Sequence, residues 1–154
     1  MNTPDQQDAA IGPETHELST HECWKYLRSS SVGRVAVVVG EHPEIFPVNY
    51  VPDDDSLVFR TGPGTKLDAV LRGKPVAFEA DGMNTYGTIA WSVMVKGTTA
   101  EVQRLDDLPV RLPEPWEEGG KEHVIRILPS QVSGRRFVIA PPGSWWNPAD
   151  GNSE

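Results

Sequence analysis

Two hydrophobic periods alternate along this chain. Ser19-Thr20-His21-Glu22 has the capping-box pattern, Ser at the N-cap and Glu three residues on. Cys23, Trp24 and Leu27 follow on one helical stripe, so a helix is predicted from Thr20 to Ser29. The period then shortens. Arg34–Gly40, rich in valine, reads as a strand, and His42-Pro43 marks a turn. Glu44–Val51 reads as a second strand with Pro47 inside it. A mid-strand proline demands an edge or a bulge, so the backbone near Pro47 is expected to face something other than a neighbouring strand.

Pro52-Asp53-Asp54-Asp55 is a turn and Ser56–Thr61 a third strand, which gives an antiparallel meander. Gly64–Arg72 fits a two-turn helix closed by Gly73 and Pro75. Pro75–Asp81 and Thr88–Gln103 are further strands. Prolines 109, 113 and 115 limit any helix over 105–115. Glu122–Leu128 and Gln131–Ile139 read as the last strands. Residues 1–17 are polar and read as a flexible arm, 18–140 as the folded domain, and 141–154 as an irregular tail. Six or seven strands with two or three short helices describe a small β-barrel. Such a barrel has no room inside for a large ligand, so a cofactor would sit outside it, against a second subunit.

The chain has 154 residues, 38% of them apolar, and a formal net charge of −8. That is enough for one domain with a core. Its acidity, with no basic stripe, argues against a nucleic-acid partner. No apolar run approaches the roughly 20 residues of a membrane helix. No secretory signal pattern opens the chain, so a cytoplasmic location is expected. One cysteine excludes an internal disulfide, and Cys23 reads as a core thiol. Four dispersed histidines offer no structural zinc spacing. Glu79 and Asp81 share one strand face and read as solvated edge charges rather than a functional pair.

The chemistry concentrates in Phe59-Arg60-Thr61-Gly62-Pro63-Gly64-Thr65-Lys66-Leu67. A strand ends in a cation and a hydroxyl, turns through Gly-Pro-Gly, and opens a helix with a second hydroxyl and a second cation. Phosphate recognition uses these groups together with free backbone N–H groups. Solvated surface cations are the alternative reading of Arg60 and Lys66. Asn49 sits in an apolar strand, where a buried amide needs partners. Trp91, Val93 and Val95 alternate on one face, which suits core packing and cofactor contact equally.

The order of these segments resembles the pyridoxamine 5′-phosphate oxidase-like family of flavin-nucleotide-binding split barrels, in its branch related to nitroimidazole-resistance proteins. Ser31-Val32-Gly33-Arg34-Val35-Ala36, Pro47-Val48-Asn49-Tyr50 and Phe59-Arg60-Thr61 with Gly64-Thr65-Lys66-Leu67 carry the resemblance. Val76-Ala77-Phe78-Glu79, Trp91-Ser92-Val93 and Val95-Lys96-Gly97 complete it. It implies a mainly β, six-stranded antiparallel split barrel of Greek-key type, a homodimer, and FMN in each of two interface clefts. It further implies that Pro47, Val48 and Asn49 border the flavin ring. Phe59, Arg60, Thr61, Thr65 and Lys66 would serve the phosphate, and Trp91 and Ser92 would approach the ring.

One element of the family pattern is missing. Its true oxidases carry Arg-x-His-x-Arg after a C-terminal Trp, whereas this chain has Trp145-Trp146-Asn147-Pro148 and no arginine after Arg136. Vitamin B6 synthesis is therefore not expected. Three functions compete: an FMN-dependent oxidoreductase acting on a small planar molecule, a flavin carrier or sensor without turnover, and a barrel that has lost its cofactor. Haem binding through His42 or His123 is a further option for the second. The intact phosphate turn speaks against the third.

Overall fold

In the computed structural model, residues 14–108, 111–112 and 123–139 are described. The capping box forms as the sequence predicts. The Glu22 backbone N–H donates to Ser19 Oγ and the Ser19 N–H donates to the Glu22 carboxylate, opening α1 (Thr20–Arg28). Cys23, Trp24 and Leu27 turn its buried face inward. Burial raises the Cys23 thiol pKa, so it stays an inert core group.

β1 (Glu14–Glu17) precedes α1. After it come β2 (Val32–Val39), β3 (His42–Asp53), β4 (Ser56–Thr61), α2 (Thr65–Leu71), β5 (Val76–Met83), β6 (Ile89–Glu101) and β7 (His123–Val138). All pairings are antiparallel. The strands run β7-β4-β3-β2-β5-β6, and β6 pairs back onto β7. That closure makes a six-stranded barrel, as expected.

The seventh strand, β1, lies outside the ring on the end of β7, from Glu14↔Val138 to Glu17↔Arg135. From sequence these four residues read as part of a flexible arm. All four are exposed, so they carry no buried-face alternation. Backbone pairing holds them, extended by the Leu18 N–H donating to the Gly134 carbonyl. A second difference concerns Pro129, which reads as a break between two strands. The structure instead runs β7 through it with a shift of register opposite Gly97, where Ser130 Oγ donates to the Lys96 carbonyl.

Alternate residues of the ring point inward. Val35, Phe46, Tyr50, Phe59, Phe78 and Val95 are among the buried core. Each large side chain so buried contributes roughly 1.5–3 kcal/mol. The two helices close the ends. α1 packs on β3, β6 and β7, and α2 packs on β2 and β6. Thr99 Oγ1 donates to the Val70 carbonyl and ties α2 to the wall. At the other end the Tyr50 hydroxyl donates to the Leu27 carbonyl at 2.6 Å. Burial pushes the Tyr50 pKa up to about 12, so the hydroxyl keeps its proton. Among the described residues no helix is long and apolar enough to cross a membrane.

The Tyr50–Leu27 bond predicts that Tyr50→Phe will cost about 1–3 kcal/mol, because the helix carbonyl loses its donor in a buried setting. Urea unfolding should show a lower midpoint with an unchanged slope. An unchanged midpoint would mean that α1 is held by apolar contact alone.

Candidate functional site

The two-residue hairpin at Gly40-Glu41 sets the phase of the β3 backbone. Val39↔His42 is its closing pair, so 44, 46 and 48 bond toward β2 while 43, 45, 47 and 49 turn their backbone groups the other way. Pro43 and Pro47 both lie in the second set, where a missing N–H breaks no ladder bond. On that side β4 pairs with β3 only as far as Tyr50↔Phe59. Asn49 and Arg60 flank the end of that ladder, and both are engaged within the chain. β4 continues alone with β7, through Arg60↔Val124 and Thr61↔His123. The wall therefore splits between β3 and β4, with the Pro47 edge on one lip and Arg60 and Thr61 on the other.

The Gly62-Pro63-Gly64 turn leads from the split into α2. Gly64 is the N-cap residue at φ 136°, a conformation that favours glycine, and no side chain caps the helix. Nothing lies within 4 Å of where a Cβ would stand on Gly62 or Gly64, so the turn's backbone is open. Thr65 and Lys66 are exposed beside it. Lys66 Nζ stands 5.4 Å above the Phe46 ring, which ties the start of α2 back to β3. Asn49 and Arg60, both partly buried, are engaged by contacts within the chain.

Pro47, Asn49, Arg60, Thr61, Thr65 and Lys66 thus converge on one split. The side chains of Val48 and Phe59 do not join them, because both point into the barrel core. Trp91 also faces inward and is 8% exposed. It stacks on Tyr26 of α1 with ring centroids 5.0 Å apart, and a Cβ on Gly82 would meet its indole nitrogen at 2.6 Å. Ser92, one residue on, faces outward on β6, which β7 separates from β4 and which β2 and β5 separate from β3.

Two constellations are not evident in the sequence. His123 Nδ1 lies 2.5 Å from Glu101 Oε1, and His123 is the register partner of Thr61. The other lies on the outer wall. Arg34 Nη1 donates to Glu79 Oε2 at 2.8 Å and stands 3.6 Å from Asp81, while Ser92 Oγ donates to Glu79 Oε1 at 3.2 Å. Glu79 is not an edge charge, since β5 pairs there with both β2 and β6, whereas Asp81 lies past the end of the β2 ladder and is exposed, as expected. Both clusters are assembled by cross-strand register, for which their scattered positions give no signal. Partial burial, reinforced by Asp81, raises the Glu79 pKa against the opposing pull of Ser92 and Arg34.

The family model described as pyridoxamine 5′-phosphate oxidase matches residues 19–136. This chain belongs to that family. The uncharacterised protein Rv0080 of Mycobacterium tuberculosis is 33% identical over 132 residues, covering 81% of this chain and 87% of that one. Among solved structures, a putative pyridoxamine 5′-phosphate oxidase from Corynebacterium glutamicum is 33% identical. It covers 82% of this chain and 100% of its own, with a TM-score of 0.68. An FAD-binding protein from Mycobacterium smegmatis is also 33% identical, covering 80% of this chain and 98% of its own, with a TM-score of 0.63. The barrel is thus a family architecture, and the Arg34–Glu79–Ser92 cluster sits on that frame.

A raised carboxyl pKa means that the folded state binds a proton more readily than the unfolded one. The contribution of Glu79 to stability is then present at low pH and lost as the pH rises above its ordinary value of 4.5. The melting temperature of the wild type relative to Glu79→Gln should therefore be highest near pH 4 and should fall toward neutrality. Thermal melts across this range check it. A difference that grows with pH would show that the Arg34 ion pair outweighs desolvation.

Proposed function

We propose that this protein binds a flavin nucleotide, FMN, at the β3–β4 split, and uses it as an oxidoreductase acting on a small planar molecule. The observation that carries the reading is the convergence of Arg60, Thr61, Thr65 and Lys66 on an open Gly-Pro-Gly backbone beside the unpaired Pro47 edge. These groups suit a phosphate. Lys66, propped on Phe46, offers a point charge, Arg60 a guanidinium on the opposite lip, and the two threonines offer hydroxyl donors. The carbonyl of Pro47, on the side of β3 that β4 does not cover, suits the polar edge of a conjugated ring. Bound flavin would supply hydride and single-electron transfer, so no protein nucleophile is required. The Mycobacterium smegmatis relative is described as an FAD-binding protein, which favours a flavin here and makes FAD the competing nucleotide.

The substrate reading rests on residues outside the described region. Trp145 and Trp146 favour a flat ring, and the absence of arginine after Arg136 speaks against pyridoxamine phosphate as substrate. A homodimer belongs to the same proposal. The outer face of the β2–β3 hairpin carries Val38 and Ile45, diagonal neighbours exposed by 47% and 69% on an acidic protein. Adjoining apolar exposure of this kind marks an interaction surface.

Calorimetric titration should show FMN binding at least about 30-fold more tightly than riboflavin, and Arg60→Ala should cost about 2 kcal/mol. Equal affinity for FMN and riboflavin removes the phosphate site. Tighter binding of FAD than FMN would replace the nucleotide. For the dimer, sedimentation at about 10 μM, a concentration at which a standard-sized interface is populated, should give twice the chain mass. Ile45→Glu should shift it to monomer. A wild-type monomer that still holds flavin would refute the dimer.

A further inference from the structure

A histidine–carboxylate pair stands at the barrel end that α2 covers. His123 and Thr61 are register partners, two residues on from the core pair Ile125 and Phe59, so their side chains share the inward phase at the rim. Glu101 lies two residues past Thr99 on β6, and Thr99 reaches the Val70 carbonyl of α2. At this end β7 runs between β4 and β6, and the Val102 N–H donating to the Val124 carbonyl extends the second ladder. The His123 ring therefore has Thr61 on one flank and Glu101 on the other. Thr61 is also where the Gly62-Pro63-Gly64 turn departs, and the backbone of Gly62 and Gly64 is open.

Glu101 decides what the ring can do. Its Oε1 lies 2.5 Å from His123 Nδ1. A carboxylate only accepts, so Nδ1 carries the hydrogen, and the neutral ring keeps a bare lone pair on Nε2. With Nδ1 turned toward β6, the opposite edge of the ring, which bears Nε2, turns toward β4 and Thr61. Among the described residues nothing hydrogen-bonds Nε2, and the two side chains are each 31% exposed, so the pair is not sealed into the core. The charges around it are distributed by strand phase. Glu101 faces the ring from β6. Arg60 on β4 and Arg126 on β7 have the opposite phase and belong to the outer face. On α2 the charges are Lys66, held over Phe46, and the exposed Asp68. On the β7 side of the turn, the group beside Thr61 that can become a cation is His123.

We propose that His123 is a proton-coupled ligand of the flavin phosphate, an assignment that rests on the phosphate being held at the β3–β4 split. A bare Nε2 would repel a phosphate oxygen. It becomes a donor by taking a proton from a buffer acid, its lone pair forming the new N–H bond. The imidazolium then stands between two anions, the Glu101 carboxylate at Nδ1 and the phosphate at Nε2, with a charge-assisted hydrogen bond to each. Glu101 is a positioning residue, since it turns Nε2 toward the turn and touches no ligand. Flavin nucleotide and proton therefore bind together, whereas a flavin without phosphate binds with no proton.

Calorimetric titration of the full chain with FMN, in buffers of different ionisation enthalpy, counts the protons. At about pH 7.5 a phosphate monoester is already dianionic, so protons taken up belong to the protein. The wild type should take up roughly 0.3–1 proton per FMN and none with riboflavin. His123→Gln should abolish the uptake and weaken FMN at least about tenfold, with riboflavin unchanged. The gap between wild type and variant should close as the pH rises from about 6.5 to about 9, because the imidazolium is lost. A purely structural role for His123 would move none of these differences. FMN binding more tightly than riboflavin without proton uptake overturns the assignment of His123 and leaves the phosphate site standing. Undiminished uptake in His123→Gln overturns it as well. Equal affinity for FMN and riboflavin overturns both. Should His123→Gln fail to fold by circular dichroism, the ring nitrogen resonances of His123 in the wild type decide. They should move to the imidazolium position with FMN and stay with riboflavin, and an unmoved ring overturns the assignment.

Discussion

Backbone hydrogen bonding is the constraint on which this molecule turns. A closed ring of strands satisfies each N–H and carbonyl only where ladders run on both sides. Here β3 has twelve residues and β4 six, so the longer strand must outrun its neighbour. The unmatched stretch carries Pro43 and Pro47 on the uncovered side, which removes two donors from an edge that would otherwise invite another chain. What is left on that side, the carbonyls of Pro43, Ile45 and Pro47 and the N–H of Ile45, is open to a ligand. The split is therefore a consequence of strand length and proline placement.

The small barrel fixes the rest. Its interior is filled by alternate side chains, so neither helix can enter, and each covers an end. α2 is short because its task is local. Leu67, Ala69 and Val70 seal the core, while the residues before them are left at the split. The same few residues thus close the barrel and present Thr65 and Lys66. Packing at one end of the helix positions the chemistry at the other.

Much of this was legible in the sequence. Ser19 and Glu22 announce α1 through a local interaction, and Pro47 announces an unpaired edge because proline cannot donate. The bounds of β4 and of α2 follow from turn residues. What failed to show depends on distant pairing. β1 has no apolar face, since its hold on β7 is through backbone alone. Pro129 reads as a stop because the register shift that absorbs it is set by Gly97 on another strand. Trp91 cannot be assigned to core or cofactor from alternation, and Tyr26, its stacking partner, lies 65 positions earlier on a helix. Six of the ten candidate residues meet at the split. Val48, Phe59 and Trp91 belong to the inward half of the same alternation, and Ser92 to a different part of the outer wall.

The charge distribution shows how an acidic protein keeps cations available for a ligand. Net charge of −8 sets up a repulsive field for any anion approaching from a distance. Anion binding then has to come from short-range contacts, which salt screens less than the long-range field. The wall arrangement meets that requirement by dividing its arginines. Arg34 and Arg126 are bound to carboxylates from neighbouring strands, and these pairs stitch β2 to β5 and β7 to the β3–β4 hairpin. Lys66 is held instead by an aromatic ring, which orients the ammonium without neutralising it. A carboxylate in place of Phe46 would position the lysine equally well and cancel its charge. An aromatic support therefore lets the start of α2 be ordered and still positive.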